Sequence, residues 1–246
     1  MNIQEEVVNE YKNQLDLLVE PEVKLKNIEA FKEKYYKAIE GAMPKQRISF
    51  GNGKLPHTTA ISNMTSWFNC PGRTHGFCDI CQICYDKFRE VSSWKVCSSR
   101  LNHEIWFRTN DWQTIAEAII VEIKVHDLRN PDEPVTLHRW NEVGEMANQE
   151  DLIKVNEISN IILDEVGVKS YIYTHNKDLD YDFDRPNLTV LGSGFMVDNN
   201  FLCLPNDEYD EYVKTHDCFE CLGDCGFCNS ICSKKLGIVI VERLRK

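Results

Sequence analysis

The sequence predicts an α/β fold built on parallel strands, either an incomplete (β/α) barrel or a small open sheet, with a helical N-terminal extension. Three observations lead to this prediction. Short apolar runs with strand character alternate with longer segments of helical periodicity. A strand, a helix and a second strand in succession imply parallel pairing through a right-handed crossover, because parallel strands need a long connection. Nine of the eleven cysteines fall in residues 70–84 and 218–232, which we call the first and the second cysteine segment.

The composition is that of a globular protein with an acidic surface. With 246 residues, of which 42% are hydrophobic and 27% charged, the chain is long enough to bury a core. The net charge of −11 argues against a protein whose main task is to clamp a nucleic-acid backbone, because phosphate contacts supply most of that affinity. No apolar run reaches the roughly 18 residues of a membrane span. The acidic N-terminus lacks the regions of a signal peptide, so we expect a cytoplasmic protein without a membrane partner.

Residues 1–45 are predicted to form the helical extension, and residues 46–246 the α/β core that carries both cysteine segments. Pro21 separates a first helix, over about residues 3–18, from a second one that ends at Gly41. In the second helix, apolar residues recur at steps of three and four, namely Val23, Leu25, Ile28, Phe31, Tyr35 and Ile39. We expect the extension to pack against the rest of the chain; a partner-binding arm is the alternative.

The core is predicted to alternate short strands with helices. Strand character is found at residues 48–50, 135–140, 168–175, 187–192, 201–204 and 237–242. Helical periodicity is found at about residues 85–94, 110–123 and 150–166. Gly167 supplies the end of the last helix. The acidic stretches at residues 178–184 and 207–211 are predicted to be solvated loops.

The first cysteine segment contains Cys78-x2-Cys81-x2-Cys84, preceded by Cys70-Pro71. A thiolate at every third residue lets a turning backbone point several sulfur atoms at one centre, which metal ligation requires and an ordinary core does not. Structural zinc usually takes two separated pairs, whereas a compact triple with a separate Cys-Pro is typical of the [4Fe–4S] cluster of bacterial ferredoxins. Here the Cys-Pro precedes the triple, so zinc stays an alternative.

The second cysteine segment contains Cys221-x3-Cys225-x2-Cys228, the spacing of the cluster loop in radical-SAM enzymes, which would add S-adenosylmethionine as a cofactor. Those enzymes leave one iron open and place the loop after the first barrel strand, whereas this loop is C-terminal and is flanked by Cys218 and Cys232. We therefore predict that both segments ligate metal, with an iron–sulfur cluster favoured over zinc. The predicted ligands are Cys70, Cys78, Cys81, Cys84, Cys218, Cys221, Cys225, Cys228 and Cys232.

Polar residues follow the predicted strands, where reactive groups collect at the carboxyl edge of parallel α/β sheets. The candidate catalytic residues are Arg139, Asn141, Glu145 and His175. The candidate cofactor-binding residues are Asn52, Lys54 and Tyr173. Structural roles stay open, because Arg139 and Glu145 could form an ion pair and a histidine near a strand end is commonly hydrogen-bonded. The turn at residues 51–54 lacks the spacing of a P-loop.

Taken together, these motifs resemble the phage family called gene product 88-like. The matching motifs are Asn52-Gly53-Lys54-Leu55, Cys70-Pro71-Gly72, Cys78 with Cys84-Tyr85, Arg139 to Gly144, Tyr173-Thr174 and Cys225-Gly226-x-Cys228. They span about residues 48–232, and their shared order carries the resemblance. Glu145 stands where the family usually has Asp, His175 where it has Lys or Arg, and Cys81 is additional. The resemblance implies a phage origin, the host cytoplasm as location and a shared fold, but it implies no reaction.

Three functional hypotheses follow. The first is a metalloenzyme, radical-SAM-like or otherwise modifying a nucleotide or nucleic acid, whose sheet-edge residues position the substrate. The alternative is a non-catalytic, metal-stapled phage protein that binds a host protein through its acidic loops and helical arm. A zinc-bearing nucleic-acid binder is a third hypothesis, which the negative charge disfavours.

Overall fold

A computed structural model describes most of the chain and shows two compact units. The described residues are 2–17, 28–66, 69–78, 84, 86, 89–90 and 93–244. The first unit, which we call the helical unit, comprises Met1–Arg47, Asn63–Ile115 and Val143–Ala147. The second, the sheet unit, comprises Ile48–Ser62, Ala116–Glu142 and Asn148–Lys246.

Three amphipathic helices form the core of the helical unit. They are α1 (Ile3–Asp16), α2 (Ile28–Glu40) and α4 (Trp94–Thr109), and the short helix α3 (Pro71–Thr74) precedes α4 in the chain. Helix α1 begins with a capping box. The side chain of Asn2 accepts a hydrogen bond from the backbone amide of Glu5, and the side chain of Glu5 accepts one from the backbone amide of Asn2. The buried side chains shared by the three helices include Tyr11, Leu15, Tyr35, Ile39, Leu101 and Ile105. Because each helix buries one apolar face against the other two, this unit has a hydrophobic core of its own.

One face of α4 carries polar groups into this core. Arg100 is buried and bonds to two buried carboxylates, at 3.1 Å to Asp86 and 3.1 Å to Glu90. Glu104 is also buried and accepts a hydrogen bond from the Tyr11 hydroxyl at 3.1 Å and one from Arg108 at 3.0 Å. The buried charges of α4 are therefore compensated within the helical unit, as burial requires.

The sheet unit is built on eight strands in the spatial order β1-β2-β3-β4-β5-β6-β8-β7. The strands are β1 (Ile48–Phe50), β2 (Thr59–Ser62), β3 (Leu137–Trp140), β4 (Lys169–Thr174), β5 (Leu188–Ser193), β6 (Asn199–Leu204), β7 (Phe219–Cys221) and β8 (Val239–Arg243). Only β1 pairs antiparallel, with β2, and every other pairing of these strands is parallel. Among the described strands β1 and β7 are the two edges, so the sheet is open and is not a closed barrel.

The remaining helices are α5 (Trp112–Arg129), which belongs to the sheet unit from Ala116 onward, α6 (Gln149–Val166) and α7 (Asn206–Thr215). Helix α6 begins at Asn148, whose side chain accepts from the backbone of Asp151, and ends at Gly167 with φ of 72°. The indole of Trp140 donates to Ser159 on α6 at 3.1 Å, which places α6 on one face of β3 and β4. Since side chains alternate along a strand, Arg139 and its register partner Tyr171 point to the opposite face.

The prediction of an α/β fold with a mostly parallel sheet and a helical N-terminus is confirmed, with an open sheet in place of a barrel. Two strands were not predicted, β2 and β7, and the stretch at residues 207–211, predicted to be a loop, lies in helix α7. The predicted helix at residues 85–94 falls largely outside the described residues. None of the described helices is long and apolar enough to cross a bilayer.

Candidate metal centre

The second cysteine segment is a tight loop that starts where β7 ends. Cys221 is the last residue of β7, and Cys232 lies in a single 3-10 turn, Ile231–Ser233. Between them, the carboxylate of Asp224 accepts hydrogen bonds from the next backbone amides, at 3.0 Å from Gly226 and 3.2 Å from Phe227. The backbone of Asn229 and Ser230 is left-handed, with φ of 50° and 46°. These local bonds wind the segment so that its cysteines are close together in space.

Four thiols of this loop lie close enough to influence one another electrostatically. Cys232 interacts with Cys221, Cys225 and Cys228, and Cys225 interacts with the other two members of that triple. Burial raises the pKa of Cys225 to about 11 and that of Cys232 to about 12, and neighbouring thiols add to both shifts. Cys225 and Cys232 therefore favour the thiol form at neutral pH, and a bound cation would displace their protons.

The loop packs against the sheet face that carries Arg139. The guanidinium carbon of Arg139 lies 4.6 Å from the ring centroid of Tyr173 and 5.8 Å from that of Tyr171. The hydroxyl of Tyr173 donates to the sulfur of Cys232 and lowers its pKa against the larger effect of burial. The positive charge of Arg139 similarly lowers the pKa of Cys225, against the larger effect of burial, which raises it. A donor and a positive charge therefore face the thiols from β3 and β4.

The turn after β1 adds a second positive group. The ammonium of Lys54 lies 2.8 and 2.7 Å from the two carboxylate oxygens of Glu242, and its carbonyl accepts from the backbone of Cys225 at 3.1 Å. Asn52 accepts from the amides of Lys54 and Leu55 at 2.8 and 2.9 Å, and donates to Glu142 at 2.6 Å. In this arrangement Asn52 orders the turn, and Lys54 is brought to the second cysteine segment.

Cys218 stands apart from the four clustered thiols. It precedes β7, and the charged groups that raise its pKa after burial are Glu220 and Asp217. Of the five cysteines predicted as ligands in this segment, the structure brings together the four from Cys221 to Cys232.

The other predicted sheet residues have separate surroundings. Asn141 follows β3 with φ of 47°, is buried, and its side-chain oxygen has no hydrogen-bond partner among the residues described. His175 follows β4 and is half-buried. His138 is buried with one ring nitrogen 2.8 Å from the Ser62 hydroxyl and the other 3.4 Å from that of Ser170, which gives it a structural role. Asn141 and His175 thus lie at the carboxyl edge of the sheet, as parallel strands dictate.

Glu145 belongs to the helical unit, whereas Arg139, Asn141 and His175 belong to the sheet unit. It is buried, with 6% of its surface exposed, and it is the charged neighbour that most strongly adds to the effect of burial on the pKa of Cys70. The structure therefore associates this carboxylate with the first cysteine segment.

The first cysteine segment forms a tight turn around Gly72. The amide of Gly72 donates to the sulfur of Cys70, and the amide of Cys78 donates to the carbonyl of Gly72 at 3.0 Å. A Cβ atom on Gly72 would lie only 2.8 Å from the Cβ of Cys78 and 3.6 Å from the sulfur of Cys70. Cys70 also interacts electrostatically with Cys84. Cys81, predicted as a ligand, lies outside the described residues.

The ten cysteines that the structure describes are all thiols. Within the described part of the chain, no group of three or more His, Cys, Asp and Glu side chains stands in a geometry that could hold a metal ion as it is. Thiolates are nevertheless the ligands that zinc and iron–sulfur clusters share, and a side-chain rotation moves a cysteine sulfur by about 3 Å. The clustered thiols are therefore chemically suited to a metal, and ligation would require such rotations.

Sequence reasoning missed several residues that shape these surroundings. Tyr171 and Glu242 were not singled out, although Tyr171 precedes Tyr173 by the two-residue step that places both on one strand face. Gly223 was also missed; its amide donates to the sulfur of Cys221. A glycine two residues after a cysteine, as in Cys70-Pro71-Gly72, is the signal that could have indicated both amide–sulfur bonds.

Comparison with known proteins gives a family but no characterised relative. No curated protein matches the chain, and no solved structure does. The sequence model of the family described as Gene product 88 matches residues 21–201, about three quarters of the chain. The match contains the first cysteine segment, Glu145 and the strands that carry Arg139 and Tyr173, and it ends before the second cysteine segment. The chain therefore belongs to the Gene product 88 family of phage proteins.

Proposed function

We propose that this protein is a metalloprotein whose second cysteine segment holds one centre through Cys221, Cys225, Cys228 and Cys232. The observation that carries the proposal is the gathering of these four thiols in one loop against the sheet. Cys232 would supply the fourth ligand, because it follows Cys221, Cys225 and Cys228 in the sequence and interacts with all three. Four sulfur ligands complete either a tetrahedral zinc site or a [4Fe–4S] cluster.

The surroundings favour an iron–sulfur cluster over zinc. Cys232 packs with apolar and aromatic side chains, among them Tyr171, Leu191, Phe201, Phe219 and Ile240. Two hydrogen bonds reach the thiols, one from the amide of Gly223 and one from the hydroxyl of Tyr173. Hydrogen bonds to sulfur and exclusion of solvent are the means by which proteins tune the reduction potential of such clusters. A redox role is therefore part of the proposal.

Positive charge near the thiols supports the same proposal. Four thiolates give either centre a net negative charge, which is costly to bury unless cations stand close by. Arg139 and Lys54 both act on Cys225 in the direction that favours its thiolate. We assign these two residues the task of offsetting the charge of the ligands.

The experiment is metal analysis of the full-length chain purified without oxygen. Iron, acid-labile sulfide and zinc are measured per chain for the parent protein and for Cys225→Ser, Cys232→Ser and Cys203→Ser. Cys203 is exposed on β6, outside both segments, and serves as the matched control. We expect both ligand variants to lose one centre and the control to keep it. Equal metal content in all four proteins would overturn the proposal.

A radical-SAM-like enzyme is the second candidate, and one observation favours it. Cys221 ends β7, which pairs parallel with β8, so the Cys221-x3-Cys225-x2-Cys228 loop begins at the carboxyl end of a parallel strand. In this version Cys221, Cys225 and Cys228 would hold the cluster without Cys232, and S-adenosylmethionine bound there would supply the chemistry for modifying a nucleotide or nucleic acid. The Cys232→Ser protein separates the two versions: the radical enzyme keeps its cluster and its binding of S-adenosylmethionine, whereas the four-ligand centre is lost.

A host-protein binder is the non-catalytic alternative. Two large apolar side chains of the second cysteine segment point into solvent, Leu222 with 62% and Phe227 with 76% of their surface exposed. Exposed apolar groups on a metal-stapled loop would suit a protein partner. Under this hypothesis the parent protein captures a stoichiometric host protein, and Phe227→Ser abolishes that capture while leaving the metal content unchanged. Under the enzyme hypotheses the parent protein captures no such partner.

A further inference from the structure

Asn141, the residue after β3, carries a buried carboxamide. It is 3% exposed, its side-chain oxygen has no hydrogen-bond partner among the residues that the structure describes, and its side-chain nitrogen donates to none of them. Its backbone amide, by contrast, donates to the carbonyl of Ser62 at 2.8 Å, so the main chain is held by the neighbouring strand β2. Buried polar groups in proteins nearly always have a partner. The carboxamide therefore needs a partner that the described residues do not supply.

The backbone of Asn141 does not explain why a carboxamide stands there. Its φ of 47° is left-handed, a conformation that few residues other than glycine adopt. Asparagine tolerates this conformation, but glycine adopts it at a lower cost and has no polar side chain to bury. Glycine would thus serve the fold at least as well. Residues in rare conformations cluster at functional sites, so we attribute the carboxamide to binding.

The position of Asn141 in the sheet supports this interpretation. It lies at the carboxyl end of a parallel strand, the edge at which open α/β sheets bind their ligands. Trp140 pairs with Ile172, so the next residues of the two strands, Asn141 and Tyr173, start from neighbouring positions. The guanidinium carbon of Arg139 lies 4.6 Å from the ring centroid of Tyr173. Nucleobases stack on aromatic rings and on guanidinium planes, and both kinds of group are present here.

We propose that the carboxamide of Asn141 binds the adenine base of a nucleoside or nucleotide at this edge of the sheet. A carboxamide presents an acceptor and a donor side by side in one plane, and adenine presents the matching pair, its 6-amino group and its N7 atom. A small adenine compound fits the chain better than a polynucleotide, because the net charge of −11 opposes a phosphate backbone. The carboxamide is no metal ligand, so this site is tested separately from the metal centre.

The test is calorimetric titration of the full-length protein with adenosine, adenosine monophosphate and guanosine. Asn141→Gly removes the carboxamide and favours the left-handed backbone, so the variant should fold. Asn141→Asp keeps the size of the side chain and replaces its donor with a second acceptor. Asn130→Gly is the matched control, because Asn130 is exposed and lies between α5 and the amino end of β3. Thermal unfolding of every variant is measured alongside.

We expect the parent and Asn130→Gly to bind adenosine or its monophosphate, and to bind guanosine more weakly. Asn141→Gly and Asn141→Asp should each weaken binding of the adenine compound by about tenfold or more. The Tm of Asn141→Gly should stay within about 3 °C of that of the parent, because the carboxamide does not support the fold. Parent-like affinity in Asn141→Gly would overturn the proposal, and so would a parent that binds neither adenine compound. Guanosine binding as tight as that of adenosine would overturn the assignment of the base.

Discussion

The ammonium of Lys54 bonds to both carboxylate oxygens of Glu242, at 2.8 and 2.7 Å, although the two residues lie 188 positions apart in the chain. The pair joins the turn after β1 to the carboxyl end of β8. Because Cys225 donates to the carbonyl of Lys54 at 3.1 Å, the same turn also supports the second cysteine segment. This ion pair therefore links two distant parts of the sheet unit at the proposed metal centre.

Replacing Lys54 with methionine should destabilise the protein more than an exposed ion pair would suggest. Glu242 is 8% exposed, so Lys54→Met leaves a nearly buried carboxylate without its main partner. We expect a loss of about 1–3 kcal/mol in the free energy of unfolding, measured by urea denaturation. The matched control is Lys37→Met, which breaks the exposed pair with Glu33 and should change the free energy of unfolding little, because solvent screens that pair. Equal losses in the two variants would contradict the role given to Lys54.

If the proposed C-terminal centre is an iron–sulfur cluster, Tyr173→Phe should change its reduction potential without removing it. The variant loses the hydroxyl that donates to the sulfur of Cys232 and keeps the aromatic ring. A ligand sulfur with fewer hydrogen bonds holds more negative charge, so a cluster there becomes harder to reduce. We expect a more negative reduction potential in an electrochemical titration, with the same iron content. Tyr212→Phe, on α7, is the control, and an identical potential in both variants would refute the assignment.

His103 should make the stability of the protein depend on pH in the acidic range. It is fully buried, and burial lowers its pKa to about 4, from about 6.5 for an unfolded histidine. Between these values the unfolded chain binds a proton that the folded chain does not, so the free energy of unfolding falls as the pH decreases. The full effect amounts to about 3 kcal/mol below pH 4.

The variant His103→Asn isolates this contribution. The amide oxygen of asparagine can accept the hydrogen bond that the ring nitrogen of His103 now accepts from the amide of Arg47 at 3.0 Å. Between pH 7 and 4, the free energy of unfolding should decline less steeply for His103→Asn than for the parent. His57→Asn, at an exposed histidine, should follow the parent curve. A His103→Asn curve parallel to that of the parent would show that His103 does not supply the slope.

The elements that the sequence predicts well are those in which local signals agree. Helix α6 has a cap at Asn148, an apolar face and a left-handed Gly167 at its end, and its predicted start at residue 150 differs by one residue from the observed start at Gln149. Strands β4 and β5 are short buried runs bounded by polar loops, and they too lie within one or two residues of their predicted positions. These predictions are accurate because the apolar pattern of each element and the residues at its ends indicate the same boundaries.

Other elements gave no such signal. The buried side of helix α4 mixes the polar residues Arg100, His103 and Glu104 with apolar ones, so the sequence shows no clear apolar period there. Strand β2 is buried at all four positions and so shows no alternation, and β7 has only three residues within the second cysteine segment. Helix α7 is acidic and mostly exposed, and it reads as a loop because it buries only Tyr209. In each case tertiary contacts supply what local pattern lacks.

The candidate site divides in the same way. Cysteine spacing predicted Cys218, Cys221, Cys225, Cys228 and Cys232 as metal ligands, which stays a prediction; four of them are neighbours in the structure, because a loop keeps residues that are close in sequence close in space. It did not predict that Cys218 stands apart, since that depends on where β7 begins. Glu145 follows β3 closely in sequence, and this proximity suggested a sheet-edge residue. Its association with Cys70 depends on the close approach of Gly144 to Thr65, which no local pattern encodes.

Gly72→Ala tests how tightly the turn of the first cysteine segment is packed. The added Cβ would lie 2.8 Å from the Cβ of Cys78, closer than real side chains approach, so the turn must open. Opening the turn disturbs the contacts made there, and we expect a loss of about 1–3 kcal/mol in the free energy of unfolding, measured by urea denaturation. The control is Gly53→Ala, since a Cβ on Gly53 meets nothing within 4 Å. Equal stability of the two variants would show that the turn around Gly72 has room for a side chain.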